Sequence, residues 1–425
     1  MLDIKFVREH PEIVKKDLQK RNDEEKLEWI DDLLKNDEEY RKLLQENQRF
    51  RQRKNEITDE INQLKKKGED IKDKIKEAKE LPENIKKSDE KLEELRGKIT
   101  YYLMRLPNIL HESVPVGKDA NDNVVVKESG EKPKFDFELK SHGELLQEMG
   151  LANFEKAAEV SGHGFYYLMG DIARLELALV NFAVDSLVEK GYTLVEPPLM
   201  LRRKPYEGVT DLKDFETMMY KIDGEDLLLI ATSEHPIAAL LMNETYEEKQ
   251  LPLKFAGLSP CFRKELGSHS IDTRGIFRVH HFNKIEQFIF CKPEDSWKFH
   301  EELLANAEQL FKQLKIPYRV VNICTGDIGI IAAKKYDIEA WFPRENLYRE
   351  VVSCSNCTSY QAVRLNIKYR KGEEKWYLHT LNSTAIATGR AIRAIVENYQ
   401  QKDGTIKVPS VLQKYIGKKF IGKRM

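Results

Sequence analysis

Apolar residues recur every seven positions through much of the first hundred residues. One row comprises Leu43, Phe50, Ile57 and Leu64, and a second comprises Ile85, Leu92, Ile99 and Leu106. A sustained seven-residue repeat is typical of helices that wind around each other along a narrow apolar seam. The pattern therefore predicts two long helices joined around Lys65–Pro82. At a rise of 1.5 Å per residue, about 40 residues would give an antiparallel hairpin roughly 60 Å long.

The pattern changes after residue 107. Residues 108–160 are interrupted by Pro, Gly, Asn and Asp, which predicts a linker and docking segment between a helical arm (1–107) and a larger domain (161–425). In that domain the predicted helices are Asp171–Lys190 and Thr384–Gln400. The predicted strands are Tyr192–Val195, Leu227–Ile230, Gly275–Phe290, Tyr318–Ile323, Asn346–Val352 and Trp376–Leu381. Their irregular order indicates an α+β fold with an antiparallel sheet flanked by helices.

Composition excludes several classes of protein. The 425 residues are 41% hydrophobic and 33% charged, and the net charge is -1, so a polyanionic partner would need a local basic patch. The five cysteines all lie beyond residue 260 and do not form the pattern of a disulfide framework. The charged N-terminus lacks the apolar region of a signal peptide, and no apolar run is long enough to cross a membrane. We therefore expect a cytoplasmic protein with no membrane partner.

The predicted hairpin is rich in charge, with 53 charged residues among the first 100 positions. Its basic residues include Arg41, Arg49, Arg53, Lys65 and Lys66. Such a surface is typical of a solvated coiled coil or a dimerisation rod. Lysine and arginine spaced along a helix also suit an RNA backbone. Composition alone does not choose between these interpretations.

The segments 260–265 and 274–286 contain the most informative side chains of the larger domain. Because side chains alternate along a strand, five of them are predicted to share one face: Arg278, His280, Phe282, Lys284 and Glu286. The opposite face would carry Phe277, Val279, Ile285 and Ile289, which suit a core. On the preceding strand, Arg263 and Glu265 share a face. Such a charged face is a structural ion-pair network or a nucleotide site, in which arginines pair with phosphates and a ring stacks on a base.

A second informative segment runs from Leu378 to Arg390. It is predicted to be a strand that turns into a helix, whose small first residues allow close packing on the sheet and let Arg390 reach over the sheet edge. Taken alone, the segment is also compatible with an ordinary capped helix.

Together these segments resemble motifs 2 and 3 of class II aminoacyl-tRNA synthetases. The stretch Val180–Met200 resembles motif 1, the helix and strand that form the dimer. The hairpin, the triplet Thr232–Glu234 and the stretch Glu350–Asn356 resemble the seryl-tRNA synthetase family, in its archaeal or eukaryotic form. The resemblance covers essentially the whole chain and implies the class II antiparallel sheet.

The resemblance also implies how ATP is bound. Arg263 would hold the α-phosphate, Glu265 and Val279 the adenine, and Arg278 the outer phosphates. Phe282 and Arg390 would enclose the purine ring. The remaining residues implied for the ATP site are Lys264, Glu350, Val351, Val352 and Ser353. Four of the implied ATP residues are assigned to catalysis: Arg263, Glu265, Arg278 and Arg390.

For serine and metal, the resemblance implies a further set of ligands. Thr232 and Glu234 would bind the α-amino group and Arg263 the carboxylate, and Ser233 is included among the serine-binding residues. Glu286, Asn382 and Thr384 would hold the serine hydroxyl, although the family often has Ser where Thr384 stands. Glu350 and Ser353 would hold Mg²⁺ through ATP. The pair Cys354 and Cys357 has zinc-ligand spacing, but no second pair follows, and we expect no zinc.

The implied activity is ATP-dependent attachment of L-serine to tRNA(Ser) through seryl-adenylate, by a homodimer. The family also serylates tRNA(Sec), and its hairpin grips the long extra arm of the tRNA that serves the other subunit. Two alternatives remain. One is an amino-acid-activating paralogue that loads a carrier protein, which would not need a basic hairpin. The other is an inactive RNA-binding relative, against which the intact charged residues of the motifs argue.

Overall fold

A computed structural model describes residues 1–211, 216–265 and 275–422. The chain divides into two compact units, Met1–Pro107 and Asn108–Met425. In the described residues, no helix combines the length and the apolar character needed to span a bilayer.

The first unit is a helical hairpin preceded by two short helices. Its elements are α1 (Ile4–Glu9), α2 (Pro11–Lys20), α3 (Glu25–Lys67) and α4 (Lys72–Arg105). The two long helices pack antiparallel, since Asn47 contacts Ser88 and Arg53 contacts Glu77 across the hairpin. This confirms the hairpin predicted from the seven-residue repeat.

The predicted turn was too long, because it included Pro82. α3 ends at Gly68, whose φ of 73° lies in the left-handed region that favours glycine. Pro82 lies inside α4, next to the buried Leu81. A proline inside a helix removes one hydrogen bond, and packing along the rest of the seam outweighs that loss.

The second unit is built around an eight-stranded sheet. The strands of the unit are β1 (Val124–Ser129), β2 (Ala152–Asn153), β3 (Tyr167–Leu168), β4 (Thr193–Val195), β5 (Met200–Leu201), β6 (Leu228–Leu229), β7 (Thr245–Glu247), β8 (Leu253–Phe262), β9 (His281–Cys291), β10 (Tyr318–Asn322), β11 (Lys334–Phe342), β12 (Leu347–Asn356), β13 (Lys368–Lys371), β14 (Glu374–Tyr377), β15 (His379–Ala387), β16 (Ile406–Lys407) and β17 (Phe420–Ile421). The main sheet has the order β1-β10-β11-β12-β15-β9-β8-β4. All its pairs are antiparallel except β4 with β8, which confirms the predicted antiparallel α+β fold. The 108–160 segment, expected to link and dock, supplies edge strand β1.

Helices cover one face of the main sheet. The helices of this unit span His142–Glu148, Phe154–Ser161, Gly170–Val188, Arg203–Val209, Glu234–Leu240, Ser296–Leu314, Tyr360–Leu365, Thr388–Asn398 and Gln413–Ile416. The Gly170–Val188 and Ser296–Leu314 helices share a core with Ile285 and Ile289 of β9. Phe288 and Phe290, on the other face of β9, belong to a second core under the Arg203–Val209 helix. The remainder of that second face is where a site can form.

Two predicted element boundaries were wrong near this face. The segment Trp376–Leu381 is not one strand, because the chain turns at Leu378 between β14 and β15. The helix predicted from Thr384 to Gln400 begins at Thr388, since β15 continues through Ala387 and pairs with β9. It is not the last helix either, because Gln413–Ile416 follows it. Pairing with a central strand overrides the weak helical pattern of 384–387. As a result, Asn382 and Thr384 lie on the sheet.

Candidate active site

The open face of β9 carries polar side chains at alternate positions. Phe282, Lys284 and Glu286 line a cavity, while Ile285 and Ile289 between and beyond them lie in the core. This alternation confirms the predicted faces for the part of the segment that is a strand.

The prediction of a strand over Gly275–His280 was wrong. β9 begins at His281, and the preceding residues are held by partners outside the main sheet. The Ile276 amide donates to His142 Nε2 (3.1 Å), and the His280 amide donates to the Gly164 carbonyl (2.9 Å). The two-residue period is therefore lost. Val279 lines the cavity, where the family resemblance rather than the strand pattern placed it, and Phe277 lines the cavity while also packing against the core. Arg278 is exposed and is not among the residues that line it. Arg274, at the start of this motif, lies outside the described residues.

The cavity has a volume of about 290 Å³. It is lined by Thr232, Glu234, His235, Arg263, Glu265, Ile276, Phe277, Val279, Phe282, Lys284, Glu286, Lys335, Glu350, Val351, Ser353, Asn382, Thr384, Gly389 and Arg390. Most residues that the sequence assigned to ATP or serine are therefore brought together in one space.

One end of the cavity is a cluster of buried polar groups around two carboxylates. Lys284 Nζ lies 2.5 Å from Glu286 Oε2, and the Thr384 hydroxyl donates to the same oxygen (3.3 Å). Glu234 Oε1 accepts hydrogen bonds from Asn382 Nδ2 (3.1 Å) and Gln361 Nε2 (3.0 Å). This end can recognise a small molecule by both charge and hydrogen bonding.

Burial changes the protonation of this end. Burial, together with the nearby Glu286 carboxylate, raises the pKa of Glu234 to about 7. Burial, with Lys284 and Arg263 nearby, lowers the pKa of His235 to about 3, so its ring is neutral. The Nδ1 atom of His235 is 2.9 Å from the Tyr206 hydroxyl, which also accepts the Ala231 amide (3.1 Å). These bonds fix the segment that precedes Thr232.

The other end of the cavity combines arginines, rings and one carboxylate. Arg390 Nη1 pairs with Glu350 Oε1 (3.1 Å), and its guanidinium lies over the Phe277 ring (5.2 Å to the centroid). The Arg263 guanidinium lies over the Phe282 ring (5.4 Å), and its Nε donates to the Ala231 carbonyl (3.2 Å). Rings and guanidinium groups in this arrangement suit a base and phosphates.

Glu350 is held in its ionised form at this end. Desolvation acts to raise its pKa, but Arg390 and Lys335 outweigh that effect and lower it. A β-bulge interrupts the pairing of β11 with β12. Ile338 pairs with Val352 and the next residue, Glu339, pairs with Glu350, so the register skips Val351. Bulges re-aim side chains, and here Glu350 lines the cavity together with Val351 and Ser353.

The remaining predicted residues lie around the cavity in different roles. Val352 is buried in the core and Ser233 is buried with its hydroxyl donating to the Gly257 carbonyl (3.3 Å), so neither lines the cavity. The Lys264 amide donates to the Met218 carbonyl (2.7 Å), and its ammonium lies 5.3 Å from the Tyr220 ring centroid. Glu265, Val279 and Thr232 are in the lining.

The cysteine pair is buried in the protein interior. Burial raises the pKa of both thiols, and Cys357 Sγ accepts from Asn382 Nδ2 (3.6 Å) while Cys354 Sγ donates to the His300 carbonyl (3.8 Å). In the described residues no group of three or more His, Cys, Asp or Glu side chains could hold a metal ion.

The five basic hairpin residues named above differ in their surroundings. Arg53 pairs with Glu60 (2.6 Å) and Glu77 (2.6 Å), and Arg41 pairs with Asp37 (2.9 Å). Within the described part of the chain, Arg49, Lys65 and Lys66 are exposed and form no ion pair. These three have side chains that are available to a polyanion.

Sequence reasoning assigned no role to several cavity residues. Lys284 was placed on the correct face but received no function, because a lysine beside a glutamate is common on any strand. Lys335 comes from β11, for which no strand was predicted, and Gly389 has no side chain to suggest a role. Only the three-dimensional structure shows that Lys335 lines the same cavity as Glu350 and that its charge helps to lower the pKa of Glu350.

Comparisons with known proteins agree with the family resemblance of the sequence motifs. Residues 216–399 match the model of the tRNA synthetase class II core domain (G, H, P, S and T), and residues 1–110 match the seryl-tRNA synthetase N-terminal domain. The serine–tRNA ligase of Methanocella arvoryzae is 61% identical over 419 residues, which cover 98% of this chain and 99% of that protein.

Solved structures are also similar over the full length. The structure of seryl-tRNA synthetase from Pyrococcus horikoshii complexed with ATP has a TM-score of 0.93 and 51% identity, and covers 100% of both chains. The structure of cytoplasmic serine–tRNA ligase from Naegleria fowleri in complex with AMP has a TM-score of 0.88 and 38% identity, over 100% of this chain and 99% of that one.

The antiparallel sheet, its polar cavity and the core-domain match define a class II aminoacyl-tRNA synthetase. Within this class, the N-terminal domain match and the full-length relatives point to the members specific for serine. The chain belongs to the seryl-tRNA synthetase family, and it is a serine–tRNA ligase.

Proposed function

We propose that the cavity binds ATP and L-serine side by side, joins them as seryl-adenylate, and then transfers serine to the terminal ribose of tRNA(Ser). The observation that carries the proposal is that one space of about 290 Å³ joins the end containing Arg390 and Glu350 to the end containing Glu234 and Glu286. Relatives solved with ATP and with AMP support a nucleotide at this site.

In this proposal ATP lies at the arginine-rich end. Arg263 binds the α-phosphate, Glu265 and Val279 the adenine, and Phe282 and Arg390 enclose the purine ring. Lys335, which lines the same end, adds positive charge near the phosphates. Because Arg278 is exposed and lies outside the lining, its contact with the outer phosphates requires it to move toward the cavity when ATP binds.

Serine lies at the end with the two carboxylates. Glu234 and Thr232 bind the α-amino group, Arg263 the carboxylate, and Glu286 with Thr384 the hydroxyl. The hydrogen bond from Thr384 to Glu286 supports this assignment, because threonine keeps the hydroxyl that the family's serine supplies. Asn382 bonds Glu234 and not Glu286, so it acts on the amino-group side.

The chemistry needs positioning and charge and no enzyme nucleophile. The serine carboxylate attacks the α-phosphorus in line and pyrophosphate leaves, while Arg263 stabilises the negative charge that spreads over the phosphate oxygens. A ribose hydroxyl of the tRNA then attacks the carbonyl carbon of the mixed anhydride, and AMP leaves. Each step exchanges one bond to oxygen for another.

The oxygen donors of the cavity fit Mg²⁺. Glu350 and Ser353 supply a carboxylate and a hydroxyl, and a hard cation bound by one carboxylate completes its shell with phosphate oxygens and water. Asp337 is buried and pairs with Ser353 in the strand register; its Oδ2 lies 3.3 Å from Lys335 Nζ, and its Oδ1 has no hydrogen-bond partner in the described residues. Burial raises the pKa of Asp337 to about 7. When bound, the metal would neutralise phosphate charge.

The hairpin binds the long extra arm of tRNA(Ser) in this proposal, and the same enzyme also serylates tRNA(Sec). The exposed basic side chains of Arg49, Lys65 and Lys66 support contact with a phosphate backbone. Since the cavity recognises the amino acid, any tRNA that the hairpin accepts receives serine.

A homodimer in the cytoplasm completes the proposal. Exposed apolar side chains occur just before and within the segment that resembles motif 1, and they suit a second copy of the chain: Leu177, Val188, Leu194, Leu199 and Met200. The five cysteines are free and buried, in keeping with a reducing compartment.

The decisive experiment is pyrophosphate exchange into ATP with serine, threonine, alanine, glycine or cysteine, followed by charging of tRNA(Ser) and tRNA(Sec) transcripts. We expect exchange with serine alone and charging of both tRNAs. Serine exchange without charging would favour the enzyme that loads a carrier protein, and no exchange from a folded protein would contradict the proposed chemistry.

A further inference from the structure

Lys284 is a buried cation that the proposed function does not use. It lies on the central strand β9 with 6% of its surface exposed, and its ammonium group is 2.5 Å from Glu286 Oε2. Burying a lysine is costly unless its charge is paired. Its position inside the cavity, beside the carboxylate proposed to bind the serine hydroxyl, requires a reason.

The two oxygens of Glu286 have different surroundings. Oε2 receives both the Lys284 ammonium and the Thr384 hydroxyl. Oε1 has no hydrogen bond in the described part of the chain, and the residue lines the cavity. One oxygen is therefore occupied by the protein, and the other is available to a ligand.

The charges around Glu286 come from several elements. Glu234 faces it from the Glu234–Leu240 helix, and its effect on Glu286 is repulsive. Arg263 follows β8 and acts on the same group of side chains. Other ionisable groups that interact with this cluster are neutral: the imidazole of His235, and the thiols of Cys261 of β8, Cys354 of β12 and Cys357. Two carboxylates thus share the site with two cations, of which Arg263 is assigned to the substrate carboxylate.

We infer that Lys284 is a positioning residue for serine selection: together with the Thr384 hydroxyl it holds Glu286 Oε2, so that Oε1 faces the cavity as the acceptor for the serine hydroxyl. The inference rests on the proposed serine site and deepens it. A fixed acceptor discriminates strongly against alanine, because without a hydroxyl donor the buried Glu286 Oε1 stays unpaired by the ligand.

Loss of Lys284 would also change the protonation of the neighbouring Glu234. The Lys284 charge acts to lower the pKa of Glu234, against burial and the Glu286 carboxylate, so removing that charge would raise this pKa further. A protonated Glu234 no longer pairs with the substrate amino group. Serine binding would therefore require a higher pH.

The test measures KM for serine and for ATP by pyrophosphate exchange between pH 6 and 9 in Lys284→Met, Lys284→Gln and Lys284→Arg. For the Met and Gln variants we expect KM for serine to rise about 10- to 100-fold, the usual effect of losing a hydrogen bond to a charged group. The preference for serine over alanine should fall by a similar factor, and KM for ATP should change less than about twofold. The pH midpoint of KM for serine should move upward, and Lys284→Arg should restore it.

Controls separate this inference from a structural effect and from failure of the proposed site. The control variant is Lys254→Met. Lys254 belongs to the same sheet and pairs with Glu302 (2.7 Å), but it does not line the cavity. This variant should leave both KM values and the pH curve unchanged. Thermal unfolding checks each variant, and comparing Gln with Arg isolates the charge if Met is unstable. Equal rises in both KM values, or an unmoved pH midpoint, would overturn the positioning role. If Glu286→Gln also left KM for serine unchanged, the proposed serine site itself would be wrong.

Discussion

Glu234 shows how a single buried carboxyl group can make substrate binding depend on pH. Its raised pKa of about 7 leaves most molecules protonated at pH 6 and ionised at pH 8. Only the ionised form pairs with the serine ammonium group. We therefore expect KM for serine to fall about tenfold from pH 6 to pH 8, since the ionised fraction changes by that factor around a pKa of 7. Steady-state exchange rates across this range measure it.

The same pKa shift has a definite sign for stability. Because the folded-state value lies above the ordinary 4.5, the folded protein binds this proton more tightly than the unfolded chain does. The contribution of Glu234 to stability therefore falls as pH rises from about 4.5 to about 7. Glu234→Gln should remove the pH dependence of serine KM around pH 7, and a persistent tenfold change in that variant would assign the titration to another group.

Position 389 requires glycine because the backbone of Ile276 approaches it closely. A methyl group at this position would overlap the carbonyl oxygen of Ile276, whose amide is held by His142. Gly389→Ala must therefore displace the segment that supplies Phe277 and Val279 to the nucleotide end. We expect kcat/KM for ATP to fall about 10- to 100-fold, the range expected for a misplacement of about 1 Å.

The matched control for this change is Gly329→Ala, because no atom lies within 4 Å of a methyl group there. Its exchange kinetics should equal those of the unaltered enzyme. Equal kinetics in Gly389→Ala would mean that Ile276 can move without disturbing the cavity.

Two glycines of the hairpin should respond in opposite ways to substitution by alanine. Gly97 lies inside α4 with open space around it, so Gly97→Ala should stabilise that helix by about 0.5–1 kcal/mol. Hydrogen exchange of the α4 amides near residue 97, measured by mass spectrometry in the full chain, should slow by about two- to fivefold.

Gly68, by contrast, ends α3 with a φ of 73°. Gly68→Ala should therefore accelerate hydrogen exchange at the end of α3, because placing a side chain in the left-handed region costs free energy. Faster exchange near residue 97 in Gly97→Ala would contradict the expected stabilisation of α4.

Elements were predictable where a periodic pattern agreed with packing. The seven-residue rows predicted both long helices, and alternation along β9 assigned Phe282 and Glu286 to the cavity and Ile289 to the core. Prediction failed where tertiary contacts decide, as in the segment before His281, which is pinned by His142 and Gly164. Those partners are more than 100 residues away in sequence, and no local pattern reports them.

At the scale of the molecule, the two units should have separable activities. Removing residues 49–86 and joining the ends with a Gly-rich linker shortens the hairpin but keeps the Asn47–Ser88 contact at its new end. The deletion removes Arg49, Arg53, Lys65 and Lys66 and leaves the cavity untouched. We expect serine-dependent pyrophosphate exchange within about twofold of normal and charging of tRNA(Ser) reduced more than about 100-fold, since the lost phosphate contacts carry much of the affinity.

A charge-only variant provides the control for this deletion. Replacing Arg49, Lys65 and Lys66 by Gln keeps the hairpin length, and it should weaken tRNA binding and reduce its salt dependence. Full charging by the shortened protein would show that the hairpin is not the tRNA-binding arm.

The division into a helical arm and a sheet domain could be predicted from the sequence because the two parts have different periods and charge densities. The cavity itself could be predicted only through the family resemblance. Lys335 of β11 lies near Glu350, and Gly389 of the Thr388–Asn398 helix lies against Ile276. Both approaches depend on the assembled sheet. Such contacts follow from tertiary packing and leave no mark in local sequence.

The alternation along β9 has a consequence for how this family can change. Phe282, Lys284 and Glu286 line the cavity, whereas Ile285 and Ile289, at odd-numbered positions of the same strand, lie in the core. Inserting or deleting a single residue would exchange the two sets, placing Lys284 and Glu286 among the core helices and Ile285 in the cavity. Such a change would destroy folding and serine recognition in one step. We therefore expect β9 to evolve by substitution alone, and alignment gaps between relatives to fall outside it.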